Sequence, residues 1–122
     1  MSVKDIGQAD WERTVSKSDT LTLVDFWAPW GPWCRKLAPE LEVLAPQYAG
    51  KIAFLKVNSD EAPEIASKYG IIGLPTLKLF CSGRVVGEIV GYVPKNMLKV
   101  ELERYLGRYR ECLAQSSVLP QS

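Results

Sequence analysis

Histidine is absent from this 122-residue chain. That removes Ser-His-Asp and Cys-His hydrolases, histidine general bases and His-ligated zinc together. Cysteine is sparse: the three thiols, Cys34, Cys81 and Cys112, are too far apart for Cys-x-x-Cys metal knuckles, so no metal site is expected. Gly70, Gly73 and Gly83 fall in separate turns and form no phosphate-binding loop. No run of 18 apolar residues occurs, and the opening "MSVKDIGQAD" lacks the apolar core of a signal peptide. A cytoplasmic, non-membrane protein is the expectation, and in a reducing compartment the cysteines are expected as thiols. Neither sign of charge dominates, with 15 Lys and Arg against 14 Asp and Glu. A net charge of +1 offers no surface for nucleic acid or lipid.

What is present is an ordinary globular composition, 47% apolar and 24% charged, in a chain the length of one domain. "ADWERTV" suits a short helix. "LTLVDFWA" and "KIAFLKVNSD" are nearly continuous apolar runs of strand type, as expected of strands covered on both faces. Between them Leu37, Leu41, Leu44, Ala45 and Tyr48 form one helical stripe. Gly31-Pro32 is a good helix start, because proline at the first position gives up only an orphan N–H. Pro39 predicts a kink, and Pro46 an early end or distortion. "APEIASKYG" is a short helix closed at Gly70. "TLKLFCSGRVVGEIVGY" is a hairpin turning at Ser82-Gly83. A last helix runs from Pro94 to about Cys112, with Leu98, Leu102, Tyr105, Leu106 and Tyr109 inward. This order predicts an α/β fold, a central mixed sheet with helices on both faces.

The segments "LVDFWAPW", Cys34 with "LAP", "KVNSDEAPEIASKYGI", "GLPTLKLF" and "VGY" occur in the order and spacing of one known family. On these residues the chain resembles the thioredoxin family over roughly residues 3–107. The expected division is therefore a domain at 1–107 and a C-terminal helix extension and tail at 108–122. The resemblance implies the thioredoxin fold and a Trp-Cys-Gly-Pro-Cys motif at the start of the second helix. Here those five places hold Trp30, Gly31, Pro32, Trp33 and Cys34. No residue is inserted or deleted between Phe26 and Ala38, so Gly31 stands where the attacking cysteine belongs and Cys34 where the resolving one does.

A dithiol cycle needs both sulfurs, one to attack the substrate disulfide and one to release the product. With Gly31 in the first place, that cycle cannot run on this loop alone. Cys34 lies in a first helical turn, where the dipole favours a thiolate. The missing side chain at Gly31 leaves a space that could expose the sulfur, and the Trp33 ring could cover it. The resemblance makes Asp25 the buried acid beside Cys34, assisted by Lys56. It either tunes the thiol, through water, or persists as a buried polar group without a task. Pro75 matches the family's cis-proline, with Leu74 free to pair with an extended substrate. Trp30, Pro32, Trp33, Gly73, Gly91 and Tyr92 complete the expected groove.

Two functions of different class follow. One is a thiol-disulfide oxidoreductase using Cys34 alone, through a mixed disulfide with a protein or glutathione that an external thiol resolves. The other is a redox-inactive module that docks a protein or peptide. The expected partners are proteins carrying thiols or disulfides, with a thioredoxin reductase or glutathione as reductant and the chain as a monomer. No cofactor is required beyond glutathione, and Pro32 and Trp33 leave little room for an iron–sulfur cluster. Cys81 is expected ~17–20 Å from Pro75, and Cys112 ~27 Å along the last helix from the site. A Cys81–Cys112 bridge is geometrically conceivable but disfavoured in a reducing compartment. Cys112 as a secondary thiol resolving Cys34 would require the last helix to break.

Overall fold

The computed structural model describes residues 3–109 and Cys112. Five strands and three α-helices alternate: β1 (Lys4–Ile6), β2 (Leu21–Trp27), α1 (Pro32–Leu44), β3 (Ile52–Asn58), α2 (Pro63–Lys68), β4 (Thr76–Cys81), β5 (Arg84–Val90) and α3 (Lys95–Tyr109). The sheet order is β1-β3-β2-β4-β5. β1 and β2 run parallel to β3, while β4 is antiparallel to β2 and β5 to β4. The sheet is therefore mixed. β1 escaped the sequence reading, because three residues with only Ile6 buried carry no usable period.

β2 is central and buried on both faces, which is why its sequence runs apolar without alternation. Its side chains nevertheless divide with period two. Leu21 and Leu23 face α1 and α3, packing with Leu37, Leu41, Leu44, Leu77, Leu79, Leu98 and Leu102. Val24 and Phe26 face the other way, into a second core with Trp11, Val15, Leu55, Val57, Ile65 and Phe80. Asp25 shares the face of Leu21 and Leu23, and its register partner on β3 is Lys56.

"ADWERTV" forms a 3-10 turn at Gln8–Asp10 followed by a π-type turn at Glu12–Ser16. The segment is held by Trp11, whose ring packs on Phe26, Tyr69 and Phe80 at centroid separations of 6.1, 5.3 and 5.4 Å. α1 begins at Pro32 and contains Pro39. Its regular turns end at Leu44, and Pro46 lies in the 3-10 turn that follows (Ala45–Tyr48). Tyr105 of α3 lies on Gly87 of β5, where a Cβ would stand 2.4 Å from the ring. The missing side chain at Gly87 leaves the space that the Tyr105 ring fills.

Candidate functional site

The end of β2, the start of α1 and the loop before β4 meet at one pole of the sheet. Gly31 is the N-cap of α1 in an extended conformation, with its N–H donating to the Ala28 carbonyl at 3.1 Å. Cys34 follows in the first turn and is only 2% exposed. Gly31 is itself buried, so the missing side chain does not open a path to the sulfur. A Cβ placed on Gly31 would lie 2.9 Å from Cys34 Sγ.

Burial pushes the Cys34 thiol up from its ordinary range, and the charge of Asp25 adds to the rise. A backbone hydrogen bond at Ala28 opposes it without reversing it. The pull of the helix terminus toward a thiolate is thereby outweighed. Desolvation of a buried sulfur outweighs a dipole worth under about 1 kcal/mol in most settings.

Asp25 is 3% exposed, and its Oδ1 has no hydrogen-bond partner in the described structure. Loss of water raises its carboxyl to about 7, against the opposing charge of Lys56. The two face a void of about 10 Å³, shared with Val3, Ala38, Leu41 and Glu42. That volume suits about one water. Cys34 does not line it. Lys56 also places its ammonium 5.4 Å from the Trp27 ring centre.

The docking surface is assembled from three separate segments. The Leu74–Pro75 peptide bond is cis, and the Gly91 N–H donates to the Pro75 carbonyl at 2.8 Å. Gly91 takes φ +91°, which favours glycine, and nothing lies within 4 Å of where its Cβ would be. An open cavity of about 320 Å³ is lined by Trp33, Leu74, Gly91 and Tyr92. Trp33 and Trp30 are 54% and 64% exposed, so the site presents two indoles to its surroundings. Gly73 stands behind, with its side open except for Val90.

Three participants were not visible from the sequence. Asp60 accepts the Trp30 indole N–H at 2.9 Å and fixes that ring. The Lys36 ammonium lies over Tyr92 and Trp33, 4.7 and 5.3 Å from the ring centres, joining two rings that are 5.9 Å apart. Glu40 accepts the Tyr92 hydroxyl and, at 2.7 Å, the Lys95 N–H at the start of α3. The Tyr92 bond holds the Glu40 carboxyl below its ordinary range and the phenol above its own. Residues 33, 36 and 40 share a helix face by spacing. Nothing local announces that Glu40 pairs with Tyr92, 52 residues away.

Cys112 is not near Cys34. It is bonded to Cys81, with S–S 2.04 Å and Cα–Cα 5.5 Å. Cys112 as a resolver of Cys34 is therefore corrected, and so is the expectation that all three cysteines are thiols. The distances inferred from strand rise and helix rise had already put both residues at the far pole. The structure shows that they meet there.

Residues 2–104 match the profile of the family described as Thioredoxin. The chain belongs to the thioredoxin family. Its mixed five-stranded sheet with helices on both faces is the thioredoxin fold. Among similar proteins, Thioredoxin 1 of Nostoc sp. is 46% identical over 101 residues, 83% of this chain and 94% of that one. The thioredoxin of Porphyra purpurea is 41% identical over 106 residues, 87% of this chain and 99% of that one. The chloroplastic M-type thioredoxin of Spinacia oleracea is 43% identical over 104 residues, 85% of this chain. The match spans only 58% of that spinach protein's length. Among the described residues of this thioredoxin-family chain, no group of three His, Cys, Asp or Glu could hold a metal ion, and no helix is long and apolar enough to cross a membrane.

Proposed function

We propose that this chain is a thioredoxin-fold docking protein that binds an extended, apolar segment of a partner protein across Leu74, Pro75 and the Trp33–Tyr92 wall. Cys34 is then a sheltered thiol rather than the attacking nucleophile. The observation that carries this reading is the closed start of α1: Cys34 is 2% exposed, its thiol is pushed up, and Gly31 at the attacking position has no sulfur. A thiol with a raised pKa is a poor nucleophile at neutral pH. The groove offers features that suit recognition, a concave, mostly apolar wall and two exposed indoles.

A second reading is favoured by one observation. Asp25 titrates at about 7 and is close enough to raise the Cys34 pKa, so a proton acceptor of suitable strength lies by the thiol. In that reading a docked partner displaces the cover, Cys34 forms a mixed disulfide with it or with glutathione, and an external thiol resolves the bond. No metal or other cofactor takes part in either.

Alkylation of the native chain, paired with reduction of a disulfide-bonded model protein, separates the two. The docking reading expects Cys34 to alkylate at least ~100-fold more slowly in the native than in the unfolded chain, with parent and Cys34→Ser equally inactive. Turnover by the parent that Cys34→Ser abolishes would replace it with the exchange reading.

A further inference from the structure

The disulfide lies at the pole opposite Cys34, and its second half-cystine falls outside the thioredoxin match, which ends at residue 104. Cys81 ends β4 immediately before the Ser82-Gly83 turn; Cys112 lies three residues beyond the end of α3 in sequence. The bond therefore joins the β4–β5 hairpin to the end of the last helix. We infer that Cys81–Cys112 is a redox-responsive clasp, the site at which low-molecular-weight thiols or dithiols act on this protein, and that its reduction releases the end of α3 from the hairpin.

Three observations bear on how the clasp opens. The first is burial, with Cys81 0% and Cys112 1% exposed. A thiolate must approach a disulfide sulfur along the S–S axis, so exchange here requires the helix end to lift first. The second is where α3 is otherwise anchored. Leu98 and Leu102 are fully buried in the core, whereas Tyr105 on Gly87, Leu106 and Tyr109 pack against its edge and are only partly buried. The segment from Tyr105 to Tyr109 spans little more than one helical turn. It can come away while the preceding turns stay packed. The third is the fixed partner surface. The hairpin turn is pressed on the segment before β2: a Cβ on Gly83 would stand 2.9 Å from Ser16 Cα, and Ser82 Oγ donates to the Ser18 carbonyl at 3.4 Å. Cys81 is thus held on the sheet while Cys112 rides on the helix end.

The chemistry balances with the thiol reagent as the only co-reactant. A thiolate attacks one sulfur of Cys81–Cys112, and the other cysteine leaves as a thiolate that takes up a proton. A second reagent thiol, deprotonated in turn, attacks the mixed disulfide. The net change converts two reagent thiols to one disulfide and Cys81 and Cys112 to two thiols. Oxidation reverses each step. Cys34 takes no part, so the clasp is independent of whichever function the groove serves.

The test uses the full chain purified without reductant. Thiol counting under denaturing conditions should find one free thiol before reduction and three after it. Reduction should lower the melting temperature by roughly 10 °C, as expected for opening a loop of 31 residues. Hydrogen exchange in the last turn of α3 should rise at least ~10-fold, while exchange in β2 and β3 changes little. Cys34→Ser should keep the full response. Cys81→Ser/Cys112→Ser should melt like the reduced parent and ignore the reductant. Three free thiols before reduction, or reduction that leaves the melting temperature and α3 exchange unchanged, would overturn the proposal. Unfolding of the whole chain on reduction, read as loss of protection in β2, would overturn the local release.

Discussion

A Cβ on Gly31 would stand 2.9 Å from the Sγ of Cys34. Across a disulfide, each Cβ lies about 3 Å from the opposite sulfur, as the bond length and angle at sulfur require. The loop has lost a sulfur without losing the geometry that would receive one.

Gly31→Cys is therefore expected to form a bond to Cys34 on mild oxidation with little change in fold. Intact mass should lie about 4 Da below the fully reduced variant, half of it from Cys81–Cys112, and peptide mapping should place the second bond between residues 31 and 34. The variant should also reduce a disulfide-bonded model protein where the parent does not. Free thiols at both positions after oxidation would show that the start of α1 had closed around glycine.

Asp25 sets a pH dependence whose sign follows from its shift. The folded carboxyl titrates at about 7 and the free one at 3.8, so between those values the folded chain holds a proton that the unfolded chain has lost. Stability from this group is present at low pH and declines as pH rises through the window, by ~4 kcal/mol in total. Asp25→Asn should leave urea midpoints near pH 4 almost unchanged and raise them at pH 8. The same variant should lower the Cys34 pKa, because the carboxylate charge that raises it is gone. Equal pH slopes in parent and variant would contradict the assignment.

Trp33 and Tyr92 form the wall of the groove, and hot-spot contacts of this kind are worth about 2 kcal/mol or more. Trp33→Ala or Tyr92→Ala should weaken binding of a peptide selected by display on the parent chain by ~30-fold. Titration calorimetry measures the change. Trp33 is half exposed, so its variant should melt within a few degrees of the parent. Lys36→Gln should weaken binding less, since it removes only the ammonium that joins the rings. Undiminished affinity in all three would place the peptide elsewhere.

Gly87→Ala tests the seat of α3. The added methyl meets the Tyr105 ring at 2.4 Å and must push it out of place, at a cost of ~1–3 kcal/mol in thermal or urea unfolding. In a Tyr105→Leu background the same substitution should cost markedly less, because the ring it strikes is gone. Equal costs in both backgrounds would assign the penalty to the strand rather than to the helix contact.

How far the sequence went depended on the range of the signal. The buried strands β2 and β3 announced themselves as apolar runs, and α1 by its leucine stripe and the Gly31-Pro32 start. Pro46 correctly marked the end of regular helix at Leu44. β1 did not show, and the short helix expected at "ADWERTV" takes the form of irregular turns around Trp11, since both are shaped by what they pack against. The site divided in the same way. Gly31 in place of a cysteine was legible from spacing alone. Lys36, Glu40 and Asp60 were not, because their partners come from other segments of the chain.

By itself the sequence determined the α/β order, the family motifs and the missing first sulfur, because these are carried by local period and by fixed spacing along one segment. Only the tertiary structure decided that Cys34 is enclosed, that Lys36 and Glu40 brace Tyr92, and that Cys81 finds Cys112. Each of those rests on contacts between segments distant in sequence, 52 residues for Glu40 and Tyr92 and 31 for the disulfide. Burial and pairing at such range depend on how the helices close over the sheet, and no local pattern encodes that.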